Sequence, residues 1–165
     1  AGSDTIDGRG GFDIAWYDYD STGGILVDLA KGTVRDGFGG LDRLTSVEGV
    51  VGTRLADRFI DTRGAQSFDG GAGDDQFTFG AGNDTATGGV GSDVFRFTGK
   101  GFGADVITDF SLSDGDRIHL TGFARFAQVT ISDVGEDLLL RAGRAQITLA
   151  FMAGETLTAG DFIFG

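Results

Sequence analysis

A nine-residue repeat constrains the fold of this 165-residue chain more than any other feature of its sequence. Residues 52–96 divide without a gap into five nonads, which read GTRLADRFI, DTRGAQSFD, GGAGDDQFT, FGAGNDTAT and GGVGSDVFR. The third and fifth match the pattern G-G-x-G-x-D-x-U-x in full, where U is a large apolar residue. Such a short and regular period is typical of a solenoid, in which each repeat packs only against its neighbours.

Each slot of the nonad has a physical role. The first six residues, rich in glycine, form a turn, because glycine adopts backbone dihedrals that other residues reach only with strain. The last three form a short strand whose apolar middle residue faces inward. Two nonads complete one coil, so residues eighteen apart stack at about 4.8 Å on the same edge. The repeat therefore predicts an all-β fold, a parallel β-roll.

The sixth slot of the nonad carries the candidate metal ligands. It places Asp57, Asp75 and Asp93 on one edge of the roll, and Gln66 and Asp84 on the other. Carboxylates stacked at this spacing repel each other unless a cation lies between them. Calcium suits such a gap, because it takes six to eight oxygen ligands and accepts backbone carbonyls. The sequence therefore predicts calcium ions between the turns.

The composition agrees with a cation as the partner. The net charge is −12, and among the 25 acidic residues only Glu48, Glu136 and Glu155 are glutamates. Aspartate suits tight turns, where its short side chain reaches the nearby backbone or a cation. The acidic charge argues against a nucleic-acid partner, which needs a basic face. There is no cysteine for a disulfide framework and no apolar run of 18 residues to span a membrane.

The repeat divides the chain into four expected segments. Residues 1–16 form a short β-roll segment, interpreted as the end of a truncated array, and residues 17–51 form a strand-rich connection. Residues 52–96 form the main roll. Residues 97–165 lose the nonad and are predicted to form an antiparallel β cap, which covers the open end of the roll.

The sequence offers no catalytic constellation, and the chain is predicted not to be an enzyme by itself. His119 is the single histidine, so a zinc site of the HExxH kind is impossible. No cysteine nucleophile is present, and no elbow motif accompanies a serine.

The nonads resemble the calcium-binding repeats of the RTX (repeats-in-toxin) family. Two flanking regions, residues 44–52 and residues 105–110 followed by 116–120, look like parts of the C-terminal domains of serralysin-type metallopeptidases and of the R-modules of mannuronan C5-epimerases. The resemblance implies a calcium-binding β-roll in a secreted bacterial protein, exported by type I secretion with an uncleaved C-terminal signal. Residues 161–165 are similar to such a signal. The implied partners are calcium, an upstream domain of the same polypeptide and the secretion machinery.

In that family each ion lies between two turns on one edge. The first turn supplies its second, fourth and sixth residues, and the turn eighteen residues later supplies its first, third and sixth. Carried over, the implied ligand sets are Gly71, Gly73 and Asp75 with Gly88, Val90 and Asp93; Thr53, Leu55 and Asp57 with Gly70, Ala72 and Asp75; and, on the other edge, Thr62 and Gly64 with Phe79, Ala81 and Asp84.

The resemblance implies two further groups of ligands. On the second edge Gln66 replaces the aspartate, which implies a weak or empty site there. The remaining sets are Gly80, Gly82, Asp84, Gly89, Gly91 and Asp93 with Asp105, Asp109 or Asp116 at the end of the roll, and Gly10, Gly11 and Asp13 with Ser46 and Glu48 upstream.

The leading functional hypothesis is a module that folds on binding Ca²⁺ after export and stabilises or chaperones a larger extracellular protein. Metal binding supplies folding free energy in other small domains. One alternative is a module that binds anionic polysaccharide, suggested by four arginines of the main roll: Arg54, Arg58, Arg63 and Arg96. Another is a segment of an adhesin or surface layer.

Overall fold

The computed structural model describes residues 2–18 and 21–165. Ala1, with which the expected first segment begins, and residues 19 and 20, within the expected connection, lie outside the described residues. The described residues form strands and two 3₁₀ helices of three residues each, and no helix among them is long and apolar enough to cross a bilayer.

The strands are short, as turns at every ninth residue require. Their bounds are β1 Thr5–Asp7, β2 Ile14–Trp16, β3 Leu26–Asp28, β4 Thr33–Arg35, β5 Leu41–Thr45, β6 Gly49–Val51, β7 Arg58–Ile60, β8 Ser67–Asp69, β9 Gln76–Phe79, β10 Thr85–Thr87, β11 Val94–Phe97, β12 Ala104–Ile107, β13 Arg117–Leu120, β14 Val129–Val134, β15 Asp137–Ala142, β16 Ala145–Leu149 and β17 Phe162–Phe164; the 3₁₀ helices are Phe126–Gln128 and Ala159–Asp161.

Two sheets face each other, and the chain alternates between them. The first sheet has the order β1-β5-β4-β3-β7-β9-β11-β13-β17, and the second has the order β14-β15-β16-β12-β10-β8-β6-β2. From β5 to β13, successive strands lie in opposite sheets, and β7, β9, β11 and β13 pair in parallel. Phe59 pairs with Phe77 and Phe77 with Phe95, a register of eighteen residues. The predicted all-β parallel roll is therefore confirmed.

Antiparallel pairing occurs in two places. In the first sheet, β3, β4 and β5 form an antiparallel run that the nonad pattern does not predict. In the second sheet, β14, β15 and β16 form the predicted antiparallel C-terminal region. Parallel stacking nevertheless continues past residue 96, because β16 pairs in parallel with β12 and β17 with β13.

Columns of phenylalanine fill the space between the sheets. The rings of Phe59, Phe77 and Phe95 stack almost parallel, with centroids 4.9 and 5.1 Å apart. Phe79 and Phe97 form a second column at 4.9 Å. All five residues are at most 1% exposed. Burial of each such side chain contributes about 1.5–3 kcal/mol, so the apolar slot both drives folding and fixes the register of the turns.

Candidate metal centres at the edges of the roll

A ladder of aspartates connects successive turns along one edge of the roll. Oδ1 of Asp75 accepts a hydrogen bond from the backbone N–H of Asp57 at 2.7 Å. Oδ1 of Asp93 accepts from the N–H of Asp75 at 2.9 Å, and Oδ1 of Asp116 accepts from the N–H of Asp93 at 2.9 Å. Each of these carboxylates therefore fixes the turn that precedes it in sequence.

The second oxygen of the two central carboxylates has no protein partner. Oδ2 of Asp75 and Oδ2 of Asp93 are buried, and neither receives a hydrogen bond from any described residue. Both residues are 0% exposed. A buried anionic oxygen without a donor is strongly unfavourable, so the position requires a proton or a cation.

Glycines keep the space around these oxygens open. A Cβ added to Gly70 would overlap Oδ2 of Asp75 and would lie 2.6 Å from the carbonyl oxygen of Gly88. A Cβ on Gly88 would overlap Oδ2 of Asp93 in the same way. On this edge the first slot of the nonad therefore needs glycine, because the buried carboxylate of the same turn approaches it too closely for a side chain.

The backbone carbonyls implied as ligands beside Asp75 and Asp93 lie in the same pair of turns. The carbonyl of Gly71 accepts from the N–H of Val90 at 3.1 Å, and the carbonyl of Val90 accepts from the N–H of Gly73 at 2.8 Å. Ala72 and Val90 form an isolated parallel bridge. Because Val90 is 74% exposed, its side chain points outward while its carbonyl stays within the pair of turns.

The first turn of the main roll satisfies its carboxylate internally. Asp57 accepts hydrogen bonds from the N–H of Thr53 and from that of Ile25, both at 2.6 Å, and one from Oγ1 of Thr53 at 3.1 Å. Leu55 donates its N–H to the same Oγ1. Thr53 and Asp57 therefore lie together with Gly70 and Asp75 as predicted, but both carboxylate oxygens of Asp57 already have donors.

The opposite edge carries a shorter ladder. Oδ1 of Asp84 accepts from the N–H of Gln66 at 2.8 Å, and Oδ1 of Asp105 accepts from the N–H of Asp84 at 2.9 Å. Oδ2 of Asp84 and Oδ2 of Asp105 are buried and receive no hydrogen bond from the described residues. Gly82 bridges to Gly103 on this edge, so the turn containing the predicted ligands Gly80, Ala81 and Gly82 stacks on the turn before β12.

The three aspartates predicted to close the roll occupy three different positions. Asp105 meets Asp84, and Asp116 meets Asp93. Asp109 accepts the N–H groups of Gly88 and Gly89, each at 2.8 Å, and so fixes the last nonad turn through both of its oxygens. Gly91 stacks so closely on the preceding turn that a Cβ there would overlap the carbonyl of Gly73.

The upstream set is assembled in part. Oε2 of Glu48 accepts from the N–H of Asp13 at 3.1 Å, while Oδ2 of Asp13 is buried and receives no hydrogen bond within the described residues. A Cβ on Gly8 would overlap the carbonyl of Ser46 and lie 2.7 Å from the side chain of Asp13. A Cβ on Gly11 would lie 3.8 Å from Oδ2 of Asp13, whereas one on Gly10 would meet no atom within 4 Å.

Burial raises the pKa of the ladder carboxyls. Burial and the neighbouring Asp57 and Asp93 raise the pKa of Asp75 to about 8. Burial and adjacent carboxylates likewise raise the pKa of Asp93 to about 6 and that of Asp105 to about 7. Without a cation, Asp75 is therefore mainly protonated and Asp105 partly protonated near neutral pH, and a bound cation would displace these protons.

The two edges present carboxylate pairs with backbone carbonyls, not dense acidic clusters. Within residues 2–18 and 21–165, no three His, Cys, Asp or Glu side chains converge as a set that could hold a metal. Ligation at the edges would therefore depend on main-chain oxygens, which suit a hard cation such as Ca²⁺.

Sequence reasoning missed one buried carboxylate at the second edge. Asp61 is 6% exposed, and its Oδ2 accepts from the N–H of Gly80 at 2.8 Å. It stands in the first slot of its nonad, which is glycine in the two nonads that match the pattern in full. That departure from the repeat was the signal that could have revealed it.

The outer face of the first sheet is basic, in contrast to the edges. Alternation along the strands leaves five arginines exposed on it, because their neighbours in sequence point inward. Within the described part of the chain the one ion pair joins Lys31 to Asp28, so no carboxylate neutralises these guanidinium groups. The five are Arg35, Arg43, Arg58, Arg96 and Arg117.

Among solved structures, the chain is similar to the extracellular lipase LipA from Serratia marcescens, with 18% sequence identity and a TM-score of 0.46. The alignment covers 99% of this chain and 34% of the lipase, so the chain spans about a third of the lipase's length. It is also similar to the AlgE6R3 subunit of the mannuronan C5-epimerase from Azotobacter vinelandii, with 27% identity, a TM-score of 0.30, and coverage of 66% of this chain and 78% of that subunit. No protein-family model and no curated protein matches the chain.

Proposed function

We propose that this chain is a calcium-binding module of the RTX type. One observation carries the proposal: Asp75, Asp93, Asp84 and Asp105 each bury a carboxylate oxygen that receives no hydrogen bond from any described residue. These oxygens lie at both edges, and those of Asp75, Asp93 and Asp84 lie next to glycines, where no side chain would block an ion. A calcium ion at each position would neutralise the carboxylates and join two turns.

The donor set fits calcium better than other common metals. It consists of carboxylate and carbonyl oxygens, which hard cations prefer, and the only histidine lies on β13, away from the turns. The proposed ligands on the first edge are Asp75 and Asp93 with the carbonyls of Gly71, Gly88 and Val90. Those on the second edge include Asp84 and Asp105. The other ligand sets implied by the resemblance stay predictions.

The proposed biological role is calcium-dependent folding of a larger secreted bacterial protein. Where calcium is scarce, mutual repulsion among the ladder aspartates opposes folding. The chain therefore stays unfolded and can pass through a type I secretion channel. Outside the cell, calcium binding supplies folding free energy. The resemblance of the nonads to RTX repeats supports this role. In this proposal the chain is a non-catalytic module, and its partners are an upstream domain of the same polypeptide and the secretion machinery.

The direct test is calcium binding by isothermal titration calorimetry on calcium-depleted protein. We expect at least two ions to bind, with much weaker binding of magnesium, because Mg²⁺ demands octahedral geometry and gives up its water reluctantly. Binding should release protons, since calcium displaces those held by the ladder carboxyls; titrations in two buffers of different ionisation enthalpy measure that release. Absence of calcium binding at millimolar concentration would refute the proposal.

A second candidate function, binding of an anionic polysaccharide, is favoured by the basic face of the first sheet. Arg58, Arg96 and Arg117 lie on β7, β11 and β13 of this sheet, where β11 pairs with β13 and β9 separates β7 from β11. This spacing could follow a chain of uronate carboxylates across the strands. Arg54 and Arg63 lie in turns at the edges and do not belong to this face.

The polysaccharide candidate predicts a charge-specific loss of binding. The double variant Arg58→Ala/Arg96→Ala should bind short oligouronates roughly tenfold more weakly, since each exposed ionic contact contributes about 0.5–1 kcal/mol. The matched control is Arg141→Ala/Arg144→Ala, which removes the same charge from exposed positions of the second sheet. Biolayer interferometry in calcium measures both. Equal losses in the two double variants would mean that the face has no specific role.

A further inference from the structure

One buried aspartate on the second edge does not stand in the sixth slot of its nonad. Asp61 occupies the first slot of the second nonad, where the third and fifth nonads have Gly70 and Gly88. The same nonad has Gln66 in the sixth slot, where the other four nonads have aspartate. The second nonad therefore keeps one carboxylate but carries it at a different slot.

The structure places this carboxylate against Asp84. Oδ2 of Asp61 accepts the N–H of Gly80, a residue of the turn that contains Asp84. The carboxyl groups of Asp61 and Asp84 are in side-chain contact. Two ionised carboxylates have no hydrogen to donate to each other, so this contact is favourable only with a proton or a cation between them.

One carboxylate oxygen of Asp84 has no hydrogen-bond donor, which indicates a bound ligand beside Asp61 and Asp84. Asp84 is 1% exposed, and its Oδ1 already accepts the N–H of Gln66. Its Oδ2 is buried and receives no hydrogen bond from the residues that the structure describes. This buried oxygen therefore requires a proton or a cation.

Main-chain oxygens complete the surroundings of the two carboxylates. A Cβ on Gly80 would lie 3.2 Å from Oδ1 of Asp61 and 3.4 Å from the carbonyl oxygen of Thr62. A Cβ on Gly82 would lie 2.8 Å from each carboxylate oxygen of Asp84 and would overlap the carbonyl of Gly64. The carboxylate of Asp61 and the carbonyl of Thr62 therefore lie beside Gly80, and the carboxylate of Asp84 and the carbonyl of Gly64 lie beside Gly82 in the same turn.

A cavity open to solvent lies beside Asp61. It has a volume of about 650 Å³ and is lined by residues that include Asp61, Thr62, Gly64 and Gly80. Arg63 also lines it and is exposed. An ion could thus reach the carboxylate of Asp61 from solvent.

Gln66 cannot supply the missing charge. Its Oε1 accepts the N–H of Thr62 at 3.3 Å, and a Cβ on Gly64 would lie 3.0 Å from its Nε2. The amide thus repeats the local hydrogen bond that Asp57 makes with the N–H of Thr53 in the first turn. It satisfies the backbone of the turn but brings no anionic oxygen.

We infer that Asp61 replaces the carboxylate that Gln66 lacks, so that Asp61 and Asp84 hold a calcium ion on the second edge with the carbonyls of Thr62 and Gly64. This inference rests on the proposed function, because it assigns a further ion of the same kind. It gives this edge a complete site in place of the weak or empty one that the glutamine implies.

The test counts calcium ions bound by four proteins, using equilibrium dialysis followed by atomic absorption. The proteins are the unaltered chain, Asp61→Asn, Asp61→Gly/Gln66→Asp and, as a control for loss of one exposed charge, Asp114→Asn. We expect Asp61→Asn to bind one ion fewer, the double variant to regain it, and the control to match the unaltered chain. Circular dichroism in calcium checks that each protein is folded.

A fifth protein, Gln66→Asp alone, keeps the inference falsifiable if Asp61→Asn fails to fold. If Asp61 already completes the site, the added aspartate changes the affinity but not the number of ions. One extra ion in Gln66→Asp, or an unchanged count in folded Asp61→Asn, would overturn the inference while leaving the proposed function intact. If the unaltered chain binds no calcium, both the proposed function and this inference are wrong.

Discussion

Removal of calcium is expected to lower the melting temperature of this protein by roughly 10–20 °C at pH 8. One ion at a hundredfold excess over its dissociation constant stabilises the folded state by about 2.7 kcal/mol. Two such ions, one on each edge, add about 5 kcal/mol, and a domain of this size shifts by about 2–4 °C per kcal/mol. Differential scanning calorimetry with and without a calcium chelator measures the shift.

The variant Asp75→Asn should lose at least half of this calcium-dependent shift. Asp75 lies between two neighbouring ladder aspartates, so its charge affects both the turn before it and the turn after it. In the chelator, however, the variant should melt no lower than the unaltered protein, because the neutral amide removes a buried charge that has no partner. A melting temperature that falls in calcium but not in chelator indicates that Asp75 binds calcium, because a residue needed only for the fold would lower it in both.

The matched control is Asp114→Asn, which makes the same chemical change at an exposed turn. It should keep the full calcium-dependent shift. If Asp75→Asn also keeps the full shift, or if the chelator leaves the melting temperature of the unaltered protein unchanged, the ladder does not bind calcium and its role is only architectural.

Without calcium, the free energy of unfolding is expected to fall as the pH rises from 5 to 9. The folded-state pKa values of Asp75, Asp93 and Asp105 are raised to about 8, 6 and 7, well above the value of about 3.9 for aspartate in an unfolded chain. The folded state therefore holds more protons than the unfolded state in this window. The stability that these protons confer is fully present below about pH 4 and is lost as the pH passes through 6 to 8.

The size of this effect should be several kcal/mol. A single carboxyl shifted by two pKa units contributes about 2.7 kcal/mol, and at least three such groups act in the same direction. Urea unfolding at pH 5, 7 and 9 in calcium-depleted buffer measures the trend. Saturating calcium should flatten it, because the ion replaces the protons. A stability that rises with pH in the absence of calcium would contradict the raised pKa values.

Much of the architecture was predictable because the repeat fixes both the strand spacing and the register. Once Phe59, Phe77 and Phe95 occupy the same slot at eighteen-residue intervals, their parallel pairing follows from close packing of identical side chains. The same interval aligns Asp57, Asp75 and Asp93. The hydrogen bonds between these aspartates could therefore be anticipated in position, although their direction from amide to following carboxylate could not.

The remaining features of the fold and of the candidate sites depend on contacts that the nine-residue repeat does not encode. The antiparallel run β3–β4–β5 lies outside the nonads, where strands of three residues carry too little alternation to fix their pairing. Asp61 was passed over because the slot rule assigns no ligand side chain to the first position. Its role emerges only when the turn containing Gly80 stacks on it. Asp109, which the resemblance to the RTX family had implied as a ligand, closes a turn from a segment with no repeat.

The hydrogen bonds of the ladder give the roll a polarity. The N–H of Asp57, Asp75 and Asp93 is satisfied in each case by a carboxylate that comes later in the chain. A turn is therefore complete only when its C-terminal neighbour has docked. Removal of turns from the N-terminal side leaves each remaining ladder amide paired with its carboxylate, whereas removal from the C-terminal side leaves the N–H of the next ladder aspartate without its acceptor. The antiparallel strands β14, β15 and β16, together with β17, thus cover the end of the roll from which unfolding would begin.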